Sequence, residues 1–207
     1  MTDISIADLP AAPTRDDGPP DEPLRIAVIA GSVRDRRVSR AVAEWAAFRT
    51  ARPGGTDVDL IDCAEIDLPD DREIRPGVGS ETPVAARIDA ADAYVLVTPE
   101  YNHSYPAALK RLIDWHYREW MFKPATVVSY GVHGGLLATE HLRGVLAELH
   151  VVTTRRMVGL RQPWTHLSPA GYAPPEETAA ALDGALHELG WWAGVLRAAR
   201  RTRPYVR

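Results

Sequence analysis

Apolar residues along this chain fall into short unbroken runs that alternate with longer stretches of helical spacing. "LRIAVIAG", residues 24 to 31, is a continuous apolar run closing in glycine, which suits a strand buried on both faces. "RAVAEWAAFRTA" follows it with apolar positions at helical spacing. "DVDLIDC" predicts a second strand, "AYVLVTP" a third and "ATVVSYG" a fourth, each followed by a loop or a helix-compatible stretch. "LLATEHLRGVLAELH" is helical, "VVTTRRMVG" predicts a fifth strand, and "PPEETAAALDGALHELGWWAGVLRAARR" is a long closing helix with proline at its start. Five strands and about five helices in repeated β-then-α order imply an α/β fold: a doubly wound parallel sheet with helices on both faces. For strand order 2-1-3-4-5, ligands are expected where the order reverses, between strands one and three.

Two connections are too long to be simple turns. "AEIDLPDDREIRPGVGSETP" and "RQPWTHLSPAGYAP" have the length and the Pro/Gly content of binding loops or lids. Residues 1–23, proline-rich and acidic with little apolar periodicity, are expected to form a disordered extension, and residues 24–207 a single domain.

Composition narrows the function classes. With 45% hydrophobic residues in 207, one sizeable core is affordable. A net charge of -4 argues against a nucleic-acid partner, and no apolar run is long enough to suggest a membrane partner. The arginines from Arg197 to Arg207 are read as solvated cations complementing the dipole of the last helix. Cys63, the single cysteine, is read as a small buried apolar residue, and a reducing, cytoplasmic location fits.

Three segments carry candidate chemistry. "GSVRDRRVS", Gly31 to Ser39, lies between the first strand and first helix. It lacks both G-x-G-x-x-G and G-K-[ST], but offers a tight glycine turn, hydroxyls at Ser32 and Ser39, arginines at 34, 36 and 37, and the positive end of a helix. Those groups suit a phosphate dianion, although Ser39 also suits a helix N-cap. "TPEYNHSYP" follows strand three and "SYGVHGG" follows strand four, so three loops are expected to converge on one crevice. Glu100, His103 and Ser104 sit in one turn and cannot all converge on a substrate as a triad, and there is no G-x-S-x-G elbow. The histidines at 103, 116, 133, 141 and 150 lack metal-ligand spacing and are read as surface or capping residues, so no metal is expected.

"GSxR", "TPEYNxSxPxxLKxxIDW" and "SYGxxGG", in this order and spacing over residues 24 to 160, resemble the NADPH-dependent FMN reductase family. These are flavodoxin-like flavoenzymes that include quinone and azo-compound reductases. The resemblance implies FMN as cofactor, NADPH or NADH as co-substrate, a small-molecule electron acceptor such as a flavin or quinone, and a homodimer or homotetramer. Carried onto this chain, it implies that Ser32, Arg34, Val38 and Ser39 hold the FMN phosphate. Pro99, Glu100, Tyr101 and Asn102 would line the isoalloxazine and ribityl region, mostly through backbone N–H groups, with Asn102 and Ser104 fixing the turn. Ser129, Gly131, His133, Gly134 and Gly135 would approach the other side of the ring, Val132 and His133 departing from the family's glycine-richer form. No catalytic side chain is expected, because the cofactor supplies the redox chemistry. A flavin-binding redox sensor or carrier, and a dedicated biosynthetic reductase, are the alternatives to a general reductase.

Trp115, Tyr117, Trp120, Met121 and Phe122 are expected at a subunit interface rather than in the core alone. Of Trp191 and Trp192, at least one is expected to pack inward. Trp164, His166 and Tyr172 would either rim the acceptor pocket or lie on the surface.

Overall fold

The computed structural model describes residues 22–51, 55–75 and 81–205; the extension expected over residues 1–23 lies outside them except for Glu22 and Pro23. The elements are β1 (Leu24–Ala30), α1 (Ser39–Thr50), β2 (Thr56–Asp62), α2 (Ala85–Ala90), β3 (Ala93–Pro99), α3 (Ala107–Trp115), β4 (Pro124–Gly131), α4 (Leu136–Glu148), β5 (Val152–Thr153), β6 (Val158–Arg161), β7 (Leu167–Ser168), β8 (Gly171–Tyr172) and α5 (Glu176–Thr202). The main sheet runs β2-β1-β3-β4-β5, with β6 also beside β4, and every pair in it is parallel.

Strand alternation divides the core in two. Ala27, Ile29, Tyr94, Leu96 and Val127 face one side, where α2, α3 and α4 cover them with Ile88, Leu109, Leu112, Leu142 and Leu146. Ile26, Val28, Val95, Val97, Val128 and Tyr130 face the other, under α1 and α5. Both faces of β1 and β3 are buried, which is why these strands read as unbroken apolar runs. On the edge strand β2, Asp57 and Asp59 pair with Arg25 and Arg87, and Val58 and Leu60 are only half-buried, while Ile61 reaches the core.

The fifth strand expected over "VVTTRRMVG" is broken in two. The Thr154 hydroxyl lies 2.9 Å from both Thr126 Oγ1 and the Arg156 carbonyl, turning the chain out of the ladder. Glu188 of α5 accepts the N–H groups of Arg155 (2.8 Å) and Arg156 (3.3 Å), so the break leaves these donors satisfied. The connection after β6 carries the small β7–β8 hairpin, whose Tyr172 packs edge-on against Trp45 of α1 at 5.3 Å. Burial pushes the Tyr172 phenol up to about 12.

Three further expectations change. Trp120 is fully buried with its ring 4.6 Å from that of Tyr94, so it is core and not interface; Trp115 is nearly buried and donates to Asp71. Arg197 is buried rather than solvated: it donates to the carbonyls of Glu22 (2.8 Å) and Pro23 (3.3 Å) and to Asp92 (3.4 Å). Arg200 joins it on Asp92 at 2.9 Å, which ties the end of α5 under the sheet. Third, His116 is a cap, but a buried one, with Nδ1 2.6 Å from the Leu112 carbonyl and Nε2 2.6 Å from the Thr82 hydroxyl. Trp192 is half-buried, while Trp191 is exposed.

Under the sheet, the Tyr94 hydroxyl lies between the carbonyls of Ile88 (2.9 Å) and Glu119 (2.7 Å), and Lys123 Nζ donates to the same two at 3.2 and 2.6 Å. Trp120 closes this cluster. Trp120→Ala is expected to lower unfolding free energy in urea by about 3–5 kcal/mol, the cost of emptying a fully buried aromatic site. Burial also pushes the Cys63 thiol up to about 12. At pH 8 the folded protein should therefore resist a thiolate-specific reagent that labels it promptly once unfolded.

Candidate functional site

The carboxyl ends of β1, β3 and β4 lie side by side, and the loop leaving each is anchored to its neighbour. Gly31 N donates to the Val97 carbonyl and Glu100 N to the Tyr130 carbonyl, both at 2.8 Å. A Cβ at Gly31 would stand 3.1 Å from Leu109 and 3.2 Å from the Val97 carbonyl, so a side chain there would push the first loop off the sheet.

The first loop is rich in donors. Ser32 and Ser39 are fully buried, and Ser32 N is 3.4 Å from Ser39 Oγ. Ser39 is the first residue of α1 and not its N-cap. That position is held by Val38, without a side-chain cap, and the first turn of α1 contains no acid. The positive end of the helix is thus left open to an anion. Among the three loop arginines, Arg37 pairs at 2.6 Å with Asp62, whose side chain is buried. Arg34 lies with its guanidinium carbon 3.7 Å from the centre of the Tyr101 ring.

The second loop is a tight turn. Tyr101 and Ser104 exchange N–H···O bonds of 2.7 and 3.0 Å, and both central residues have positive φ, Asn102 at 49° and His103 at 67°. Asn tolerates this conformation; His does so at some cost. The Tyr101 side chain leaves the turn to place its hydroxyl 2.8 Å from Ser32 Oγ, so Tyr101 reaches the first loop by its side chain. Glu100 turns the other way. Its Oε2 accepts from Leu137 N (3.0 Å) and Ala138 N (3.4 Å), which places a carboxylate at the start of α4.

The third loop is held from within. Ser129 is fully buried, and its hydroxyl donates to the Gly134 carbonyl at 2.8 Å, so it shapes the loop rather than its open face. Gly134 and Gly135 have φ of 87° and 77°, and a Cβ at Gly135 would fall 2.7 Å from Ser129 Cβ and 2.8 Å from Tyr130 N. Around Gly131, by contrast, an added Cβ would meet nothing closer than 3.5 Å. Val132 and His133 stand at the exposed tip. Gly159 of β6 lets the Gly134 backbone lie against it, and Gln162 N donates to the Gly131 carbonyl at 2.9 Å.

The motif residues missed two participants. His141 on α4 places Nδ1 3.2 Å from the Ser104 hydroxyl, and Asp62 immobilises Arg37; their only sequence signals are a polar residue one turn into α4 and an acid closing β2. A different cavity, of about 530 Å³, opens at the opposite end of the strands between Glu22, Arg25, Asp57, Asp92, Arg197 and Arg200. Its arginines are committed to those acids and to backbone carbonyls.

Residues 24–165, more than half of the chain, match the family model described as NADPH-dependent FMN reductase. The chain belongs to this family. It is 40% identical over 141 residues to the NAD(P)H-dependent FMN reductase LOT6 of Saccharomyces cerevisiae, covering 59% of this chain and 73% of that protein. To a 2-hydroxy-1,4-benzoquinone reductase of Burkholderia sp. it is 34% identical over 141 residues, covering 62% and 73%. Among solved structures, FerB of Paracoccus denitrificans, a flavoenzyme NAD(P)H:(acceptor) oxidoreductase, superimposes with a TM-score of 0.67 over 83% of this chain and 98% of its own, at 24% identity. That likeness establishes the flavodoxin-like fold.

FMN requires phosphate donors, a polar edge for its ring system and backbone close to a flat face. The uncapped start of α1 with its buried hydroxyls, and the side-chain-free backbone at Gly131, fit those needs. Gly135→Ala should destabilise the protein by roughly 2–4 kcal/mol, combining strain at positive φ with overlap against β4, whereas Gly131→Ala should cost under about 1 kcal/mol. Urea unfolding of the pair measures the contrast.

Proposed function

We propose that this chain is an FMN-dependent NAD(P)H oxidoreductase in which FMN lies across the ends of β1, β3 and β4. The observation that carries the reading is the convergence of one uncapped, hydroxyl-lined helix start with two backbone-shaped loops on a single sheet edge. Bound FMN supplies hydride acceptance from NAD(P)H and delivery to a flavin, quinone or similar acceptor.

The residues divide the remaining work. Ser32, Ser39, the amides that open α1 and Arg34 receive the phosphate. Arg34 is the loop cation for this task because it lies over the Tyr101 ring, whose hydroxyl meets Ser32, whereas Arg37 is held by Asp62. The backbone of Pro99 to Asn102 borders the ring and ribityl chain, and Ser104 closes the turn that keeps it there. Gly131, with Gly134 and Gly135 behind it, presents bare backbone to a flat ring, and Val132 and His133, at the exposed tip, stand where co-substrate and acceptor enter. Glu100 fixes α4, and hence the third loop, to the second. No side chain is assigned a proton-transfer step.

Among the described residues no helix is long and apolar enough to cross a membrane, which accords with a cytoplasmic enzyme. A homodimer or homotetramer is supported by an apolar groove of about 540 Å³ lined in part by Ile113, Trp115, Tyr117, Val145 and Leu149.

Purified protein should take up FMN, turn yellow and be bleached by NADPH without oxygen, then recolour on adding a quinone. Protein that remains colourless through an FMN titration contradicts the proposal. Arg34→Ala should raise the FMN Kd by about tenfold or more, the loss of one charge-assisted contact, with unfolding free energy changed by under about 0.5 kcal/mol.

A further inference from the structure

We infer that the Tyr101 side chain is a positioning residue for the FMN phosphate: its ring seats the Arg34 guanidinium at the first loop instead of lining the flavin. The inference rests on the cofactor reading above and deepens it, since that reading places only the Tyr101 backbone beside the ring and ribityl chain.

Three side chains from two loops form a stack graded from the interior to the surface. Ser32 is fully buried, with its amide 3.4 Å from Ser39 Oγ and its hydroxyl 2.8 Å from the Tyr101 hydroxyl. Tyr101 is half-buried, and Arg34 is exposed with its guanidinium carbon 3.7 Å above the centre of the Tyr101 ring. The phenol is therefore fixed at both ends. Its hydroxyl is tied to the first loop, while the N–H···O bonds exchanged between Tyr101 and Ser104, at 2.7 and 3.0 Å, set the direction in which the side chain leaves the second. The ring between those two points is a platform with a fixed face.

An arginine on an exposed loop samples many rotamers, and an anion that binds it has to freeze them. A guanidinium lying flat on an aromatic face has given up that freedom beforehand, while its N–H groups still donate in their own plane. A carboxylate would hold the arginine as firmly but would also neutralise it, as Asp62 does for Arg37 at 2.6 Å and Arg40 at 3.3 Å. The Tyr101 ring holds Arg34 and leaves its charge for a dianion. Tyrosine suits the position better than phenylalanine because the tie to Ser32 keeps the ring from swinging away from the first loop.

The test uses two flavins that differ only by the phosphate. Kd values for FMN and riboflavin are measured by fluorescence quenching on wild type, Tyr101→Leu, Tyr101→Phe, Arg34→Ala and the Tyr101→Leu/Arg34→Ala double variant, alongside thermal unfolding. Tyr101→Leu should weaken FMN about three- to fivefold and leave riboflavin within about twofold. Tyr101→Phe, which keeps the ring face without the tie to Ser32, should fall between wild type and Tyr101→Leu. The double variant should bind FMN no more weakly than Arg34→Ala alone, since the tyrosine acts through the arginine. An unchanged FMN Kd in Tyr101→Leu, an equal loss for both flavins, or losses that multiply in the double variant would each overturn the inference. If Tyr101→Leu proves unstable, Tyr101→Phe with and without Arg34→Ala decides: a loss selective for FMN that disappears in the Arg34→Ala background supports the inference, and any other pattern counts against it. Wild-type protein that binds neither flavin would overturn the cofactor reading itself and the inference with it, a failure distinct from the others.

Discussion

Two backbone hydrogen bonds determine what this molecule can do: Gly31 N to the Val97 carbonyl and Glu100 N to the Tyr130 carbonyl. Each continues the sheet ladder one residue past a strand and then lets the chain leave. Because β1, β3 and β4 are consecutive parallel neighbours, the two bonds hold three loops at one level. A parallel sheet covered on both faces leaves irregular backbone to gather at the strand ends, and ligands of such sheets bind at the carboxyl ends. The core packing of both layers serves to keep those strand ends in register.

From there the polar groups divide into those spent on the protein and those kept for a ligand. Glu100 neutralises the start of α4, Asp62 takes Arg37, and Ser129 holds the Gly134 carbonyl. Each looks like chemistry in the sequence and is structural in the fold. The start of α1 has no such internal partner among side-chain caps, and Arg34 is stacked on Tyr101 beside it. The same division separates the two ends of the sheet, since the arginine-lined cavity at the other end is already neutralised by its acids.

The sequence made the architecture legible wherever burial was two-sided. β1, β3 and β4 appear as short, predominantly apolar runs because both faces are covered, and the three loops follow where glycine, proline and polar residues end those runs. Features that depend on a distant partner were not legible. Nothing near Arg197 indicates that Asp92, 105 residues away, will bury it, and nothing in "VVTTRRMVG" shows that Glu188 will satisfy a break in the strand. Trp120 reads as an interface aromatic until Tyr94 is placed against it. Within the site, the turn-fixing roles of Asn102 and Ser104 came from the family resemblance, whereas the side-chain directions of Glu100 and Tyr101 required the neighbouring strands.

Hydrogen exchange of apo protein with and without saturating FMN tests the central claim most directly, because it locates the ligand without relying on any substitution. The account predicts slowed exchange in 31–39, 100–104 and 131–135 together, with amides around Arg25, Asp92 and Arg197 unaffected. Protection confined to the Arg25–Asp92–Arg197 end of the strands, or absent from any one of the three loops, would contradict it.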